Sequence, residues 1–430
     1  MELFNHQEQT KKLFQERNLK GLCIFHDTGL GKTITTLSIM NDLGIGNVLV
    51  VTPNANVQQE WIEQNSYPMD LHFCTYNGLS RVILSDDIPA IGAIVFDESH
   101  KIKNPTSGRT KLAIHLIKKY PKAYRFLLSA TPITICELDF VPQLKIASGG
   151  LFMRDLGFYA IRKKYFLNLA PPTARWQRWK LNPKLKSEFY EEVEKYATFL
   201  SRTHFEKLLP KKTVETISYI PSSKTKELYE NVLVKKKPTP EVLELLKEYD
   251  SVNESVLLGV AHKIMVNDYE RGRALTSILK RFKLARCKTI VWSYFKSSVD
   301  IIERAVFDSG LHWYGGINSS TPMKDRLAIV EEFKTKTKPG VLCASLGTLS
   351  EGINLQIAQL CVFFDLSYNY ADIYQAEARN YRFGSKHEEV FEVFLNSGLG
   401  LDRVLKLNFE KKITTDPKVI YDMGKKNESN

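Results

Sequence analysis

Seven short apolar runs mark out the architecture of this chain. Four lie early, at residues 22–25, 48–51, 93–96 and 126–128, and three late, at 289–292, 341–344 and 360–364. Each is continuous rather than alternating, which predicts strands buried on both faces, as in a parallel sheet. Between the first two, Ile34, Leu37, Ile39 and Met40 recur at helical spacing, and the pattern stops near Gly44. From about 150 to 270 the pattern becomes helical and charged, broken by Pro171, Pro172, Pro183, Pro210, Pro238 and Pro240. Residues 188–200 and 240–249 read there as amphipathic helices. The expected fold class is α/β, with two parallel-sheet lobes and a basic helical insert between them. The expected divisions are 1–150, 151–270, 271–415 and a polar tail at 416–430.

Length supports that division, because 430 residues exceed one ordinary core. The net charge of +12 is unevenly placed. Residues 151–237 hold 19 lysines and arginines against 9 acidic residues, a surplus of 10. Such a stripe favours a polyanion partner. Within it, Arg175 and Arg178 flank Trp176 and Trp179. Tryptophans between arginines suit base stacking, and they equally suit the core anchors of a small helical insert. No run reaches membrane-spanning length, so no membrane partner is expected. Six scattered cysteines lack CxxC spacing and read as reduced core residues. The first seven residues carry no secretory pattern, so a cytoplasmic location is expected.

The chemistry follows the strands. The run 22–25 leads into His26-Asp27-Thr28-Gly29-Leu30-Gly31-Lys32-Thr33 and then a helix. Strand, glycine-rich loop and helix form the context of a phosphate-binding P-loop. Gly29 and Gly31 let backbone N–H groups close on phosphate oxygens, and the helix N-terminus adds positive charge. Lys32 reaches the β- and γ-phosphates, and the Thr33 hydroxyl suits Mg²⁺. His26 stands where the first glycine of the consensus belongs. The run 93–96 ends in Asp97-Glu98, followed by Ser99-His100-Lys101-Ile102-Lys103-Asn104. Alone, this is a strand end with a solvated turn. Beside a P-loop, Asp97 becomes a Mg²⁺ holder and Glu98 the residue that deprotonates water. A cation is still needed. Gln375, Arg379 and Arg382 recur at i, i+4 and i+7, one face of an expected helix. An arginine finger contributes roughly 10³–10⁵ in rate.

In this order the residues resemble superfamily 2 helicases of the SNF2-like branch, over nearly the whole chain. His6-Gln7 resembles the adenine-reading element, 29–33 motif I, Thr52-Pro53 with Trp61 motif Ia, and Thr75-Tyr76 motif Ib. Residues 97–104 resemble motif II with the Lys-Asn extension of SNF2 proteins, and 129–133 motif III. Arg202 with Leu209-Pro210-Lys211-Lys212 resembles the SNF2 arginine and Leu-Pro-x-Lys pattern. Residues 289–293, 351–355 and 375–382 resemble motifs IV, V and VI. Motif III reads Ala-Thr-Pro instead of Gly-Thr-Pro, and motif VI ends Arg-Phe-Gly-Ser instead of Arg-Ile-Gly-Gln.

The resemblance implies two RecA-like P-loop lobes with ATP and Mg²⁺ held between them. It implies nucleotide contacts from Gln7, Thr28, Gly29, Leu30, Gly31, Lys32, Thr33 and Gly352, and DNA contacts from Thr52, Thr75, Lys103, Ser293 and Ser345. It also implies a monomeric motor on duplex, forked or branched DNA, binding without sequence preference. The compact plan is similar to fork-remodelling members and to small bacteriophage helicases. An RNA-directed helicase, the motor of a restriction system and an ATP-gated DNA clamp stand as alternatives. Lys103 and Asn104, next to the carboxylates, are expected to report DNA occupancy to the metal site.

Overall fold

The computed structural model describes residues 3–85, 90–134, 136–170, 177–201, 209–233, 239–247, 253–283, 285–349, 354–382 and 385–411. Gly352, Arg175, Trp176, Arg202 and the tail at 416–430 lie outside them. The chain folds as two units, Met1–Glu206 and Lys207–Asn430.

The first unit is built on a six-stranded parallel sheet. Its strands are β1 (Gly21–His26), β2 (Asn47–Thr52), β3 (Asp70–Thr75), β4 (Ala93–Asp97), β5 (Tyr124–Leu128) and, after an antiparallel pair β6 (Phe166–Asn168) and β7 (Trp179–Leu181), β8 (Ala197–Leu200). The order across the sheet is β3-β2-β4-β5-β1-β8. Successive side chains on a strand point to opposite faces, and both faces are covered. Leu22, Ile24, Val48, Val50, Ala93 and Val95 enter one apolar cluster. Cys23, Phe25, Leu49, Val51, Ile94 and Phe96 enter the other. Continuous apolar runs are the sequence trace of this two-sided burial. The parallel direction sets the carboxyl ends of β1, β2 and β4 on one rim, where α/β sheets hold ligands.

The second unit carries its own parallel sheet, of β9 (Lys211–Ser218), β10 (Thr289–Ser293), β11 (His312–Ile317), β12 (Gly340–Ser345), β13 (Leu360–Phe363) and β14 (Glu389–Asn396). The order is β11-β12-β10-β13-β14-β9. One cluster, including Ile290, Trp292, Leu342, Cys361, Phe363 and Phe394, forms its core. Among the described residues, no helix of either unit is long and apolar enough to cross a membrane.

Two expectations are corrected here. The region 151–270 is shared between the units, since it supplies β8 to the first sheet and β9 to the second. The helix expected at 188–200 ends early: it runs Lys186–Glu194, and residues 197–200 form β8. The reason is tertiary. Ala197–Leu200 pairs with Cys23–His26, and Phe199 meets the rings of Phe25 and Phe140 at 5.6 Å each. An edge that β1 would otherwise leave unpaired outweighs local helix preference.

Candidate nucleotide site and its supporting network

The P-loop leaves β1 and turns through Gly29 at φ +80° and Gly31 at φ +71°. Gly31 caps the helix Lys32–Asp42. The positive φ favours glycine at Gly31, and a Cβ there would fall 2.1 Å from Gln7 Nε2 and displace that amide. The first helix, Asn5–Glu16, thus leans its Gln7 amide against the loop, while His6 Nε2 lies 3.1 Å from the Leu30 carbonyl oxygen. Lys32 Nζ donates to the carbonyl oxygens of His26 and Asp27 at 2.9 and 3.4 Å. Thr28 Oγ1 is buried with no hydrogen-bond partner among the described residues, and Thr33 is half-buried. His26 serves the architecture of the loop, since its Nε2 lies 3.0 Å from Thr198 Oγ1 and ties the loop to β8. Burial, then the Lys32 charge, lowers its pKa to about 3, so the ring is neutral.

Asp97 ends β4 in a ring of fixed donors. Trp61 Nε1 donates to Oδ2 at 2.8 Å, and the Glu98 N–H to Oδ1 at 2.9 Å. The Tyr76 hydroxyl donates to the Asp97 carbonyl oxygen at 2.8 Å. Burial, and next the Glu98 charge, push the Asp97 carboxyl up to about 7, against the pull of Trp61 and Lys32. A carboxylate so desolvated fits a cation ligand. Glu98 sits at φ +51°, left-handed for a non-glycine residue, a strain that functional sites often hold. Its Oε2 lies 3.2 Å from His100 Nδ1, and that nitrogen lies 3.3 Å from Ser129 Oγ. Ser129 Oγ accepts the Thr131 N–H at 3.1 Å. Asp97 and Glu98 are thereby wired to the segment after β5.

A second wire runs alongside. Ser99 Oγ donates to Gln143 Oε1 at 2.7 Å, and Gln143 Nε2 donates to the carbonyl oxygens of Pro132 and Asp139 at 3.0 and 2.9 Å. Gln143 is fully buried. Lys103 Nζ donates to Thr134 Oγ1, which in turn donates to Asp139 Oδ2 at 3.0 Å. Lys103, half-buried, is therefore joined to the segment after β5. Asn104 Oδ1 accepts from the Thr106 N–H and hydroxyl, shaping the turn before the helix Gly108–Lys119.

In the second unit, the expected helical face is interrupted. The helix is Tyr370–Glu377, so Gln375 lies in it, while Arg379 and Arg382 follow its end. The Arg379 carbonyl oxygen accepts the Leu355 N–H at 3.0 Å, which diverts it from a helical ladder. Gln375 and Arg379 are buried and Arg382 is half-buried. Lys212 of β9 braces this turn: its Nζ lies 2.6 Å from Glu377 Oε1 and 3.3 Å from Glu392 Oε2.

Residues 69–262 match the SNF2-related domain, and residues 270–384 match the helicase conserved C-terminal domain. The chain belongs to the SNF2-related helicase family. It is 25% identical over 396 residues to a SWI/SNF-related matrix-associated actin-dependent regulator of chromatin subfamily A-like protein 1 of Drosophila melanogaster, covering 84% of this chain and 49% of that protein. It is 24% identical over 395 residues to an uncharacterized ATP-dependent helicase of Mycoplasma genitalium, covering 88% of this chain and 35% of the relative. The chain thus spans less than two thirds of the length of these relatives. Among solved structures, the SWI2/SNF2 ATPase core of Sulfolobus solfataricus in complex with dsDNA aligns with 100% of this chain and 94% of that one, at 17% identity and a TM-score of 0.41.

The remaining sites expected of an SNF2-related chain divide by burial. Thr52 is fully buried, its hydroxyl between the Cys74 carbonyl oxygen at 3.4 Å and Gln58 Nε2 at 3.2 Å. Ser293 is also buried, and its Oγ donates to the Phe295 carbonyl oxygen at 3.1 Å. Each ends a strand with its hydroxyl engaged inside its own unit. Thr75 and Ser345 are half-buried, with Ser345 Oγ 2.6 Å from Thr348 Oγ1. Arg178 is exposed. Sequence reading missed Gln143 as a connector and Trp61 as the donor to Asp97. The signal for Trp61 was a buried indole downstream of Thr52; for Gln143 it was an amide in an apolar helix, Phe140–Ala147.

Proposed function

We propose that this chain is a DNA-stimulated ATPase that moves along duplex DNA and remodels forked or branched DNA. One observation carries the ATPase reading: the loop Gly29–Thr33 and the pair Asp97–Glu98 leave the carboxyl ends of strands of one parallel sheet. Gly29, Leu30, Gly31 and Lys32 hold the phosphates, with Gln7 beside the loop and Thr28 offering its unpartnered hydroxyl. Thr33 and Asp97 are the residues that would hold Mg²⁺, which supplies charge to the phosphate oxygens when bound. Glu98 orients a water and takes its proton, and Arg379 and Arg382 are assigned to the charge that develops on the transferred phosphoryl group. Family membership and the basic surplus at 151–237 support a DNA partner.

The test is ATPase rate with single-stranded DNA, duplex, fork, four-way junction and RNA side by side. Stimulation by DNA, strongest with fork or junction, is expected. Equal stimulation by RNA would overturn the substrate assignment. Turnover that survives in Glu98→Gln would overturn the catalytic one.

A further inference from the structure

The β6–β7 hairpin lies outside every nucleotide motif and plays no part in the site described above. Residues 158–186 contain eight lysines and arginines and no acidic residue. The hairpin is anchored from below by Phe166 and Leu181, which are opposite each other in the register and both buried. Its other surface is unlike a solvated charged face. Leu167 is 45% exposed, Leu169 50% and Tyr159 60%. Trp179 lies on the anchored face with Leu181, and there the Arg162 guanidinium sits 4.4 Å from its ring and 5.0 Å from the Tyr159 ring, joining the hairpin to the helix. Lys163, Arg178, Lys180, Lys184 and Lys186 stand exposed around it. Lys164 is drawn aside by Glu188 at 2.8 Å.

We propose that this hairpin and the helix Phe158–Tyr165 bind single-stranded DNA, separately from the motor motifs. Duplex DNA presents phosphates outward and hides its base faces, which cations alone would serve. Exposed aromatic and leucine side chains among cations suit unstacked bases, whose faces they cover while the cations follow the backbone. Such strands are present wherever a fork or junction is opened, so the inference rests on the DNA-remodelling reading.

The experiment measures binding of oligo(dT), a duplex of equal length and oligo(U) across a salt series. The slope of log affinity against log salt should fall by roughly 2 in the triple variant Lys163→Ala, Lys180→Ala, Lys184→Ala, at about 0.7 per lost phosphate contact. Tyr159→Ala should weaken oligo(dT) binding roughly 5- to 100-fold, and Tyr159→Phe should restore it. These side chains are exposed, and an unchanged melting temperature checks the fold. An unchanged slope with unchanged affinity in Tyr159→Ala overturns the site. An equal loss on duplex, or tighter binding of oligo(U) than oligo(dT), overturns the choice of single-stranded DNA. Failure of the underlying reading shows separately, as no DNA-stimulated turnover in the unaltered protein.

Discussion

Trp61 and Asp97 are 36 residues apart, yet the indole N–H fixes one carboxylate oxygen at 2.8 Å. Groups that orient a metal ligand without touching the metal commonly control its affinity. Trp61→Phe should therefore raise the Mg²⁺ concentration for half-maximal ATPase by roughly 10- to 100-fold, which a metal titration reads directly. Other buried groups contribute to pH dependence. His262 is fully buried in the second unit, with Nδ1 3.0 Å from the Tyr368 hydroxyl, and burial lowers its pKa to about 3. A lowered histidine contributes stability that is full above 6.5 and lost as pH falls toward 3. Asp365, pushed up to about 7 by burial, runs the other way: the folded state binds its proton first, so stability rises as pH falls from 7 toward 4. Between pH 6.5 and 4 the two slopes oppose. His262→Asn removes the His262 slope and leaves the others, so the stability gap to the unaltered protein should shift by about 1.4 kcal/mol per pH unit between pH 6.5 and 4. Urea unfolding at pH 7, 6 and 5 measures it.

At the scale of elements, the turn after β4 and the helix Phe140–Ala147 are linked through an amide. Gln143 joins Ser99 to the Pro132 and Asp139 carbonyls. Gln143→Leu keeps the volume and removes the link. Turnover should fall roughly tenfold with KM for ATP little changed, about the worth of one buried hydrogen bond made stronger in the transition state. A loss of nucleotide affinity with unchanged turnover would contradict this. The central strands were legible in the sequence because burial on both sides writes continuous apolar runs, as at 48–51 and 360–363. The strand Asp70–Thr75 was not, since its edge position leaves every residue but Cys74 at least partly exposed and lets polar residues interrupt the run. β9 reads Lys-Lys-Thr-Val-Glu-Thr-Ile-Ser for the same reason. Glycines and carboxylates of the site were legible because their chemistry is local. Trp61, Gln143 and the end of the arginine helix depend on contacts from distant segments, which spacing does not record.

At the scale of the whole molecule, each unit has its own buried apolar core, and the second is pinned by a buried ion pair. Arg271 is fully enclosed: Nε donates to the Phe364 carbonyl oxygen at 2.7 Å, and Nη2 lies 3.3 Å from Asp402 Oδ1. Arg271→Met leaves that carboxylate unpaired, and about 3–5 kcal/mol of stability should be lost. Calorimetry should show the loss in the transition of the second unit, while the transition of the first stays in place.

The edge strand β9 has a consequence for synthesis. Thr213 and Glu389, which bond at 2.6 Å across β9 and β14, are 176 residues apart. At roughly 5–20 residues per second, the ribosome releases β9 about 10–35 s before its partner strand exists. Through that wait its backbone groups lack this partner, and its lysines, glutamate and threonines are residue types that disfavour pairing with a neighbouring strand.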